Sequence, residues 1–411
     1  MRTFTQLVTV EEALERFLET LRPQPRGREV VPLEQSLDRV VATDLAATQD
    51  LPPFDRSTVD GFAVRAGDVE EATEDHPAHL RVVGEVRMGE VVTFEIGPRE
   101  AARIPTGGML PGGADAVVMQ EHCRLAADQV EVLRPVASGE NVIRQGQDVR
   151  RGEVVVPAGT RLRPQELALL AGLGIVEVPV WLAPRVAIFS TGDEVVPPDH
   201  LPRPGQVRDM NTYALTGLVA RLGGVPLPGR ILPDEEEAIG AALQDALRTS
   251  EVVLVSGGSS VGARDVLASV IPRLGAPGIL VHGVAIKPGK PTLLAVCRGR
   301  AVVGLPGHPV SAQVAFQVFV RPALEAMLGL RPDLRGPREV PARLHEALRA
   351  PRERDEFVRV AVRWENGELV AEPIRGLSGM ITTLTRADGY VRVPRGATLP
   401  QGSVVRVRLL D

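Results

Sequence analysis

Between Arg185 and Leu328, short apolar runs alternate with longer segments whose apolar residues recur at helical spacing. The predicted strands are Val186–Phe189, Val252–Val255, Thr292–Val296 and Val302–Leu305, and the predicted helices are Thr212–Leu222, Pro233–Leu247, Val266–Leu274 and Ala312–Leu328. Strands that alternate with helices form a largely parallel sheet with helices on both faces. The alternation therefore predicts a three-layer α/β domain over residues 183–328.

Three of these strands end in polar, glycine-containing loops, at Ser190–Glu194, Ser256–Asp265 and Pro306–Ser311. Ligands of open parallel sheets bind just beyond the carboxyl ends of the strands. Glycines such as Gly257 and Gly258 let the backbone approach a ligand, and their N–H groups suit anions. Three such loops at one sheet edge predict a ligand site there.

The chain contains two lysines, Lys287 and Lys290, and both lie in the segment Ile286–Pro291. Apart from histidine, every other basic side chain is an arginine. Lysine presents a compact point charge, whereas arginine presents a wide planar fork. Two neighbouring lysines in an arginine-rich chain therefore predict a tight pocket for an anion.

The candidate chemistry-bearing side chains are mainly carboxylates and hydroxyls. The acids are Asp60, Asp148, Glu194, Asp234 and Asp265, and the hydroxyls are Thr106, Ser259 and Ser260. Acids without accompanying His or Cys favour a hard cation such as Mg²⁺, and lysines with glycine N–H groups favour phosphate or another oxyanion. Together they indicate chemistry on a phosphoanhydride assisted by a metal ion. The chain has neither a Walker A sequence nor a GxGxxG sequence, which disfavours ordinary nucleotide-binding sites.

Outside the α/β region, short alternating runs are separated by turn signals. Residues 51–139 predict a small, mainly β domain, and residues 329–411 predict a second one, a β-barrel or a sandwich. A chain of 411 residues is also too long for a single core. The predicted fold class is therefore multidomain, α/β plus β.

Composition argues against several classes of function. A net charge of −5 and an aromatic content of 3% disfavour nucleic-acid binding. No apolar run reaches membrane-spanning length and no signal-peptide pattern opens the chain, so we expect a cytoplasmic protein with no membrane partner. The spacing of Cys123 and Cys297 does not suit a metal cluster, and reduced thiols are expected.

Six motifs along the chain together resemble one family. They are Ser57–Val64, Arg103–Gly108, Ser190–Glu194, Ser256–Gly262, Ile286–Pro291 and Leu305–Ser311, with the sequences STVDGFAV, RIPTGG, STGDE, SGGSSVG, IKPGKP and LPGHPVS. In this order they are similar to the MoeA and gephyrin E-domain family, the molybdopterin molybdenumtransferases. The resemblance covers essentially the whole chain.

The resemblance implies a reaction and an assembly. Family members take adenylylated molybdopterin and molybdate with a divalent cation, usually Mg²⁺, hydrolyse the adenylate, and release AMP and molybdenum cofactor. It also implies an elongated homodimer of four-domain subunits, with residues 1–50 and 140–182 as the linker domain, the α/β domain as the molybdopterin-binding domain and residues 329–411 as a β-barrel-like domain. A molybdopterin adenylyltransferase would act upstream.

The resemblance further implies roles for individual residues. The catalytic set would be Asp60, Thr106, Asp148, Glu194, Asp265 and Lys287, the first three reaching the site from the partner subunit. The metal ligands would be Glu194, Asp234 and Asp265. The substrate-binding set would be Ser256, Gly257, Gly258, Ser259, Ser260, Lys290, Pro306, Gly307, Pro309 and Ser311.

Three positions depart from the family pattern. Gly283 stands where many relatives carry a lysine, His308 replaces the more usual Asn, and Met210 replaces a small hydroxyl residue. Two alternative functions remain beside molybdenum insertion. One is a molybdopterin adenylyltransferase, and the other is a non-catalytic molybdopterin-binding scaffold.

Overall fold

The computed structural model describes residues 7–257 and 261–410, except for the side chains of residues 261–265. Its α/β domain contains a six-stranded sheet. The strands lie in the order Val225–Pro228, Arg185–Thr191, Val252–Gly257, Arg300–Leu305, Leu293–Cys297 and Pro277–His282. All run in one direction except Leu293–Cys297, which is antiparallel to both of its neighbours.

Helices cover both faces of this sheet, so the three-layer prediction is confirmed. They are Asn211–Leu222, Glu236–Thr249, Val261–Leu274, Pro309–Ala315 and Arg321–Met327, with a π-helical turn at Phe316–Val320 between the last two. In the central strand, Val252 and Leu254 pack into the core on one face, while Val253 and Val255 pack into the core on the other. The alternation along a strand explains why both faces are apolar.

The two edge strands, Val225–Pro228 and Pro277–His282, were absent from the sequence prediction. Both contain proline, which lacks the N–H group that a central strand must donate. Proline is accepted at the edge of a sheet for the same reason. The predicted helix at Ala312 also begins earlier, because Pro309 occupies its first turn.

The N-terminal helix Val10–Leu21 packs on the α/β sheet, although its sequence lies in the range assigned to the linker. Its N-cap Thr9 accepts a hydrogen bond from the Glu12 amide at 3.2 Å. Phe17 is fully buried in the same core as the sheet. The apolar face of this helix therefore belongs physically to the α/β domain.

Two separate stretches of chain build the linker. Strand Arg28–Pro32 pairs antiparallel with Glu177–Trp181, and Leu45–Ala46 pairs with Val154–Val156. Helix Pro164–Gly172 completes a small core with them. The intervening residues form the small β domain, whose six-stranded sheet has the order Ala116–Met119, Gly61–Val64, Glu100–Ile104, Ala78–Glu85, Gln129–Val132 and Cys123–Ala126. Arg56–Ser57 and Val142–Ile143 pair beside it.

The C-terminal region is a closed barrel, which decides between the barrel and the sandwich. Five strands pair in the order Asp355–Glu365, Glu368–Pro373, Glu339–Leu344, Val404–Leu409 and Gly389–Val393, and the last pairs back with the first. The region also contains the short pair Leu348–Arg349 with Thr398–Leu399, the helix Thr382–Thr385 and the 3₁₀ helix Pro332–Leu334. Within the described ranges, no helix has the length and apolar character needed to cross a membrane.

Candidate active site

The three polar loops of the α/β domain leave the same edge of the sheet. Ser190 pairs in register with Ser256, and Ser256 pairs with Leu305. Because these three strands are parallel neighbours, the loops that follow them begin side by side, as the sequence alternation predicts.

Asn211, at the start of a helix, ties two of these loops together. Its amide nitrogen donates to Ser256 Oγ at 2.6 Å and to the Gly307 carbonyl at 2.7 Å. Its carbonyl oxygen is buried and has no hydrogen-bond partner among the described residues. An unmet acceptor beside a predicted ligand loop is available to a ligand donor. The sequence does not single out Asn211, because its burial depends on contacts with two loops that are distant along the chain.

Some of the predicted substrate-binding residues and one predicted metal ligand fall outside the described part of the chain. This applies to Gly258, Ser259 and Ser260 and to the side chain of Asp265. The neighbouring Gly257 is the buried last residue of its strand. The roles that the resemblance implies for all of these residues remain predictions.

An acidic corner, defined here as Asp193, Glu194 and Asp234, adjoins the first strand-end loop. The Asp234 amide donates to Asp193 Oδ1 at 3.3 Å. Gly192 has a φ of +140°, and a Cβ there would lie 2.6 Å from Glu194 Oε2. Glycine at this position therefore lets the Glu194 carboxylate lie against the turn.

Burial raises the pKa of Asp234 above its usual value, and the charges of Asp193 and Glu194 raise it further. Asp234 Oδ1 is buried and has no hydrogen-bond partner among the described residues. The described side chains form no group of three or more His, Cys, Asp or Glu arranged to hold a metal ion. The predicted ligand Asp265 has its side chain outside that set. Crowded carboxylates with an unmet oxygen nevertheless suit a divalent cation, which would remove their mutual repulsion.

A cationic cavity of about 600 Å³ lies between the α/β domain and the barrel. One wall is the lysine loop, Ile286–Pro291, together with Pro306, Gly307, His308 and Ser311. The barrel wall carries Arg349, Arg354, Glu356, Arg359, Arg375 and Ser378. Four of the predicted substrate residues, with Lys287, thus meet around one space, and basic groups outnumber acids there. Pro309, the first residue of the following helix, is buried behind this wall.

Arg359 is the main functional candidate that the sequence reasoning missed. Arg359 is buried, with 7% of its surface exposed to solvent. Nη2 donates to the Gly376 carbonyl at 2.9 Å, while Nε has no hydrogen-bond partner among the described residues. Burial lowers the pKa of this guanidinium. A buried cation with an unused donor in a cavity wall is suited to an anionic ligand.

Two contacts connect the cavity walls. Lys287 Nζ lies 2.8 Å from Glu356 Oε1, so the predicted lysine is bound to the barrel. Across the mouth, His308 Nδ1 lies 2.8 Å from Ser378 Oγ. The His308 departure from the family pattern therefore forms an interdomain hydrogen bond.

Asp60 and Thr106 lie together in the small β domain. Asp60 Oδ1 accepts from the Thr106 amide at 2.7 Å and from its hydroxyl at 3.1 Å. The backbone hydrogen bond, and then the hydroxyl, lower the pKa of Asp60. Asp148 is exposed on a separate loop, where its amide donates to the Leu51 carbonyl at 3.1 Å. Among the described residues, the cationic cavity has no lining residue from 51–139.

This geometry defines a class, a multidomain α/β protein with a cationic cavity between two domains and a carboxylate corner beside a strand-end loop. Comparisons with known proteins identify the family. Residues 8–174 match a family described as MoeA N-terminal region (domain I and II), residues 187–326 match a probable molybdopterin binding domain, and residues 341–410 match the MoeA C-terminal region (domain IV).

Full-length relatives agree with these matches. A molybdopterin molybdenumtransferase of Bacillus subtilis is 34% identical over 98% of this chain and 94% of its own length. One from a Nostoc species is 35% identical over 90% of this chain and 86% of its own length. The crystal structure of a molybdopterin biosynthesis MoeA protein from Pyrococcus horikoshii superposes with a TM-score of 0.86 at 35% identity, covering 98% of this chain and all of that one. The chain belongs to the molybdopterin molybdenumtransferase family, several of whose curated members are named as transferases.

Proposed function

We propose that this chain inserts molybdate into adenylylated molybdopterin, with Mg²⁺-dependent release of AMP, to give molybdenum cofactor. The observation that carries the proposal is the cationic cavity beside the strand-end loop Pro306–Ser311, with Arg359 Nε as its unmet buried donor. Family membership supplies the class of reaction. A cytoplasmic location and an upstream molybdopterin adenylyltransferase belong to the same proposal.

Molybdate would bind in the cationic cavity. The ion is a small dianion with oxygen acceptors in every direction, so several donors must converge on it. Lys287, Lys290 and Arg359 approach from two domains. The partly enclosed position strengthens their attraction for an anion relative to bulk water. These residues would bind and orient the oxyanion while the dithiolene of the pterin reaches the metal atom.

Mg²⁺ would be held by the acidic corner. Glu194 and Asp234, with the implied third ligand Asp265, are the residues that fit it, because Asp234 keeps an unmet buried oxygen beside other carboxylates. Bound there, the ion would supply Lewis-acid stabilisation of charge on the adenylate phosphate. The Asn211 amide would fix the Ser256 and Gly307 loops, against which another part of the substrate lies.

We also propose that the site is completed by a second subunit of a homodimer. Asp60, Thr106 and Asp148 are exposed to solvent in the single chain. The lowered pKa favours the ionised form of Asp60. An ionised, preoriented carboxylate is suited to positioning a water molecule or a cation at a site brought to it.

A direct assay tests the activity. The protein is incubated with adenylylated molybdopterin and Mg²⁺, with and without molybdate, and AMP is measured. We expect molybdate-dependent release of AMP. Formation of adenylylated molybdopterin from ATP and molybdopterin would instead support the adenylyltransferase. Tight pterin binding with no turnover would support the scaffold.

Mixed dimers test the intersubunit site. Asp60→Ala and Lys287→Ala each damage a different half of a shared site. We expect each homodimer to lose at least about 100-fold in rate, the usual minimum for a catalytic acid–base group. Purified heterodimers should recover about half of the wild-type rate, because one of the two sites then carries no substitution. Asp128→Ala, in an exposed turn of the same small domain, is the control.

Inactive heterodimers would contradict the shared site. Asp60→Ala should leave the melting temperature within about 1 °C of wild type, because the residue is exposed. A large drop would show that Asp60 acts mainly as a turn residue.

A further inference from the structure

The lysine loop is held between two other segments in a narrow backbone ladder. The Ala285 amide donates to the Val8 carbonyl at 2.8 Å, and the Asp355 amide donates to the Ala285 carbonyl at 3.0 Å. Ile286 and Lys287 pair in parallel with the first two residues of the barrel strand Asp355–Glu365. The N-terminal segment, the lysine loop and the barrel therefore share hydrogen bonds just behind the cationic cavity.

A charged cluster lies at the barrel end of this ladder. Asp355 is 6% exposed, and its carboxylate accepts from Arg392 Nε at 2.8 Å and from the Arg395 amide at 2.8 Å. Arg392 Nη2 donates to the same Asp355 carboxylate and to Glu11 of the N-terminal helix. The guanidinium also lies 6.0 Å from the centre of the Phe357 ring. We call Glu11, Arg392 and Asp355 the clamp.

No clamp residue is among the described residues that line the cavity. Residues that follow Asp355 on the same strand do line it. Glu356, adjacent to Asp355, pairs with Lys287. Arg359 lies four residues beyond Asp355 on the same strand. Any shift at the start of this strand therefore moves the barrel donors relative to the lysine loop.

We propose that the clamp positions the barrel strand against the lysine loop and thereby sets the affinity of the cavity for its oxyanion. This inference rests on the proposed function. The physical reason is geometric, because small displacements weaken several short charge-assisted contacts at once. Glu11, Arg392 and Asp355 are positioning residues that act through the backbone ladder and through Lys287 and Arg359.

The central variant is Arg392→Gln. It removes the cation that neutralises a nearly buried carboxylate, so the start of the strand must shift or admit water. We expect the molybdate KM to rise about five- to tenfold, the usual range for residues acting through a contact network. The KM for adenylylated molybdopterin and the kcat at saturating molybdate should change by less than about twofold, because the clamp acts on the oxyanion donors Lys287 and Arg359.

A weaker variant and a control variant test whether the change in molybdate KM follows the clamp. Glu11→Gln removes only the exposed outer partner and should raise the molybdate KM by about twofold. Arg343→Gln is the matched control, since Arg343 Nε pairs with Glu368 Oε1 at 2.6 Å elsewhere on the barrel. It removes one barrel ion pair and should leave the molybdate KM unchanged.

Amide hydrogen exchange supplies a readout that does not depend on turnover. Arg392→Gln should accelerate exchange at Asp355 and Ala285, the two amides of the ladder, whereas Arg343→Gln should not. Should Arg392→Gln fail to fold, Asp355→Asn keeps the side-chain shape and the same two measurements apply.

A lower melting temperature with an unchanged molybdate KM would overturn the proposal and leave the clamp a purely structural feature. Unchanged exchange at Asp355 would overturn it as well. An absence of any molybdate dependence in the wild-type protein would instead remove the proposed function. The exchange data would then still report whether the clamp orders the ladder.

Discussion

The cationic cavity and the acidic corner both contain one buried polar atom without a partner among the described residues. In the cavity this atom is the donor Arg359 Nε, and in the corner it is the acceptor Asp234 Oδ1. The two differ in how they are built. The cavity needs the α/β domain and the barrel together, while the corner comes from loops of a single sheet.

This difference separates two ways of preparing a binding site. In the cavity, two domains pack around a cation during folding. The free-energy cost of removing that cation from water is therefore incurred before any ligand binds. In the corner, like charges are held close together and their repulsion persists until a cation arrives. Neutralising Arg359 or Asp234 should therefore reduce function without lowering the stability of the protein in the absence of ligand.

Of the variants that test this contrast between the cavity and the corner, Arg359→Met has the largest expected effect. The substitution removes a cationic donor that would contact molybdate, so the molybdate KM should rise about 10- to 100-fold, as expected for a lost charge-assisted hydrogen bond. The melting temperature without ligand should stay the same or rise by about 1–3 °C, because a buried, partly unpaired charge is replaced by an apolar side chain of similar length.

Enzyme kinetics and thermal unfolding of the same preparation measure both quantities. Arg343→Met on the outer barrel controls for loss of an arginine. A strongly lowered melting temperature for Arg359→Met would show that this residue is structural, and the contrast between the two regions would fail.

The sequence predicted the part of this contrast that depends on local patterns. The strand-end loops were predictable because their strands are short, apolar and separated by helices, which leaves a parallel sheet as the main solution. The lysine loop was predictable because lysine is otherwise absent. The three-layer fold, the small β domain and the C-terminal β domain followed in the same way, and the fold class is confirmed.

Arg359 was not predictable, because its burial depends on long-range structure. The barrel strands come from about 70 residues of chain, and the closed barrel then packs against another domain. In the strand DEFVRVAV it reads as one more basic residue between apolar ones. The edge strands were missed because their prolines obscure the strand pattern. The position of the N-terminal helix was missed because an amphipathic pattern does not say which core it covers.

Lys287→Arg sharpens the comparison on the cavity side. Lys287 is held by Glu356, so a compact ammonium already has a fixed place in the wall. The wider guanidinium would pair with Glu356 through its fork and turn away from a small ligand. We expect the molybdate KM to rise about tenfold, equivalent to ~1.4 kcal/mol.

Equilibrium binding of molybdate gives the same comparison without turnover. The control is Arg354→Lys, which changes a neighbouring cation of the cavity in the opposite direction. Equal losses in both variants would mean that net charge, rather than the shape of the cation, determines affinity.

Asp234→Asn has the smallest expected effect and tests the corner alone. Folding raises the pKa of Asp234, through burial and then through Asp193 and Glu194, so the folded state holds its proton more tightly than the unfolded state does. The stability that this proton provides is present below the usual carboxyl pKa and is lost as the pH rises through the raised value. At neutral pH without metal, the variant should therefore melt about 1 °C above wild type, and the difference should vanish below about pH 4. Saturating Mg²⁺ should reverse the order, because it stabilises only the protein that keeps the carboxylate. Melting curves at two pH values, with and without Mg²⁺, measure each of these stability differences. If Asp234→Asn still gains as much stability from Mg²⁺ as wild type does, the ion binds elsewhere.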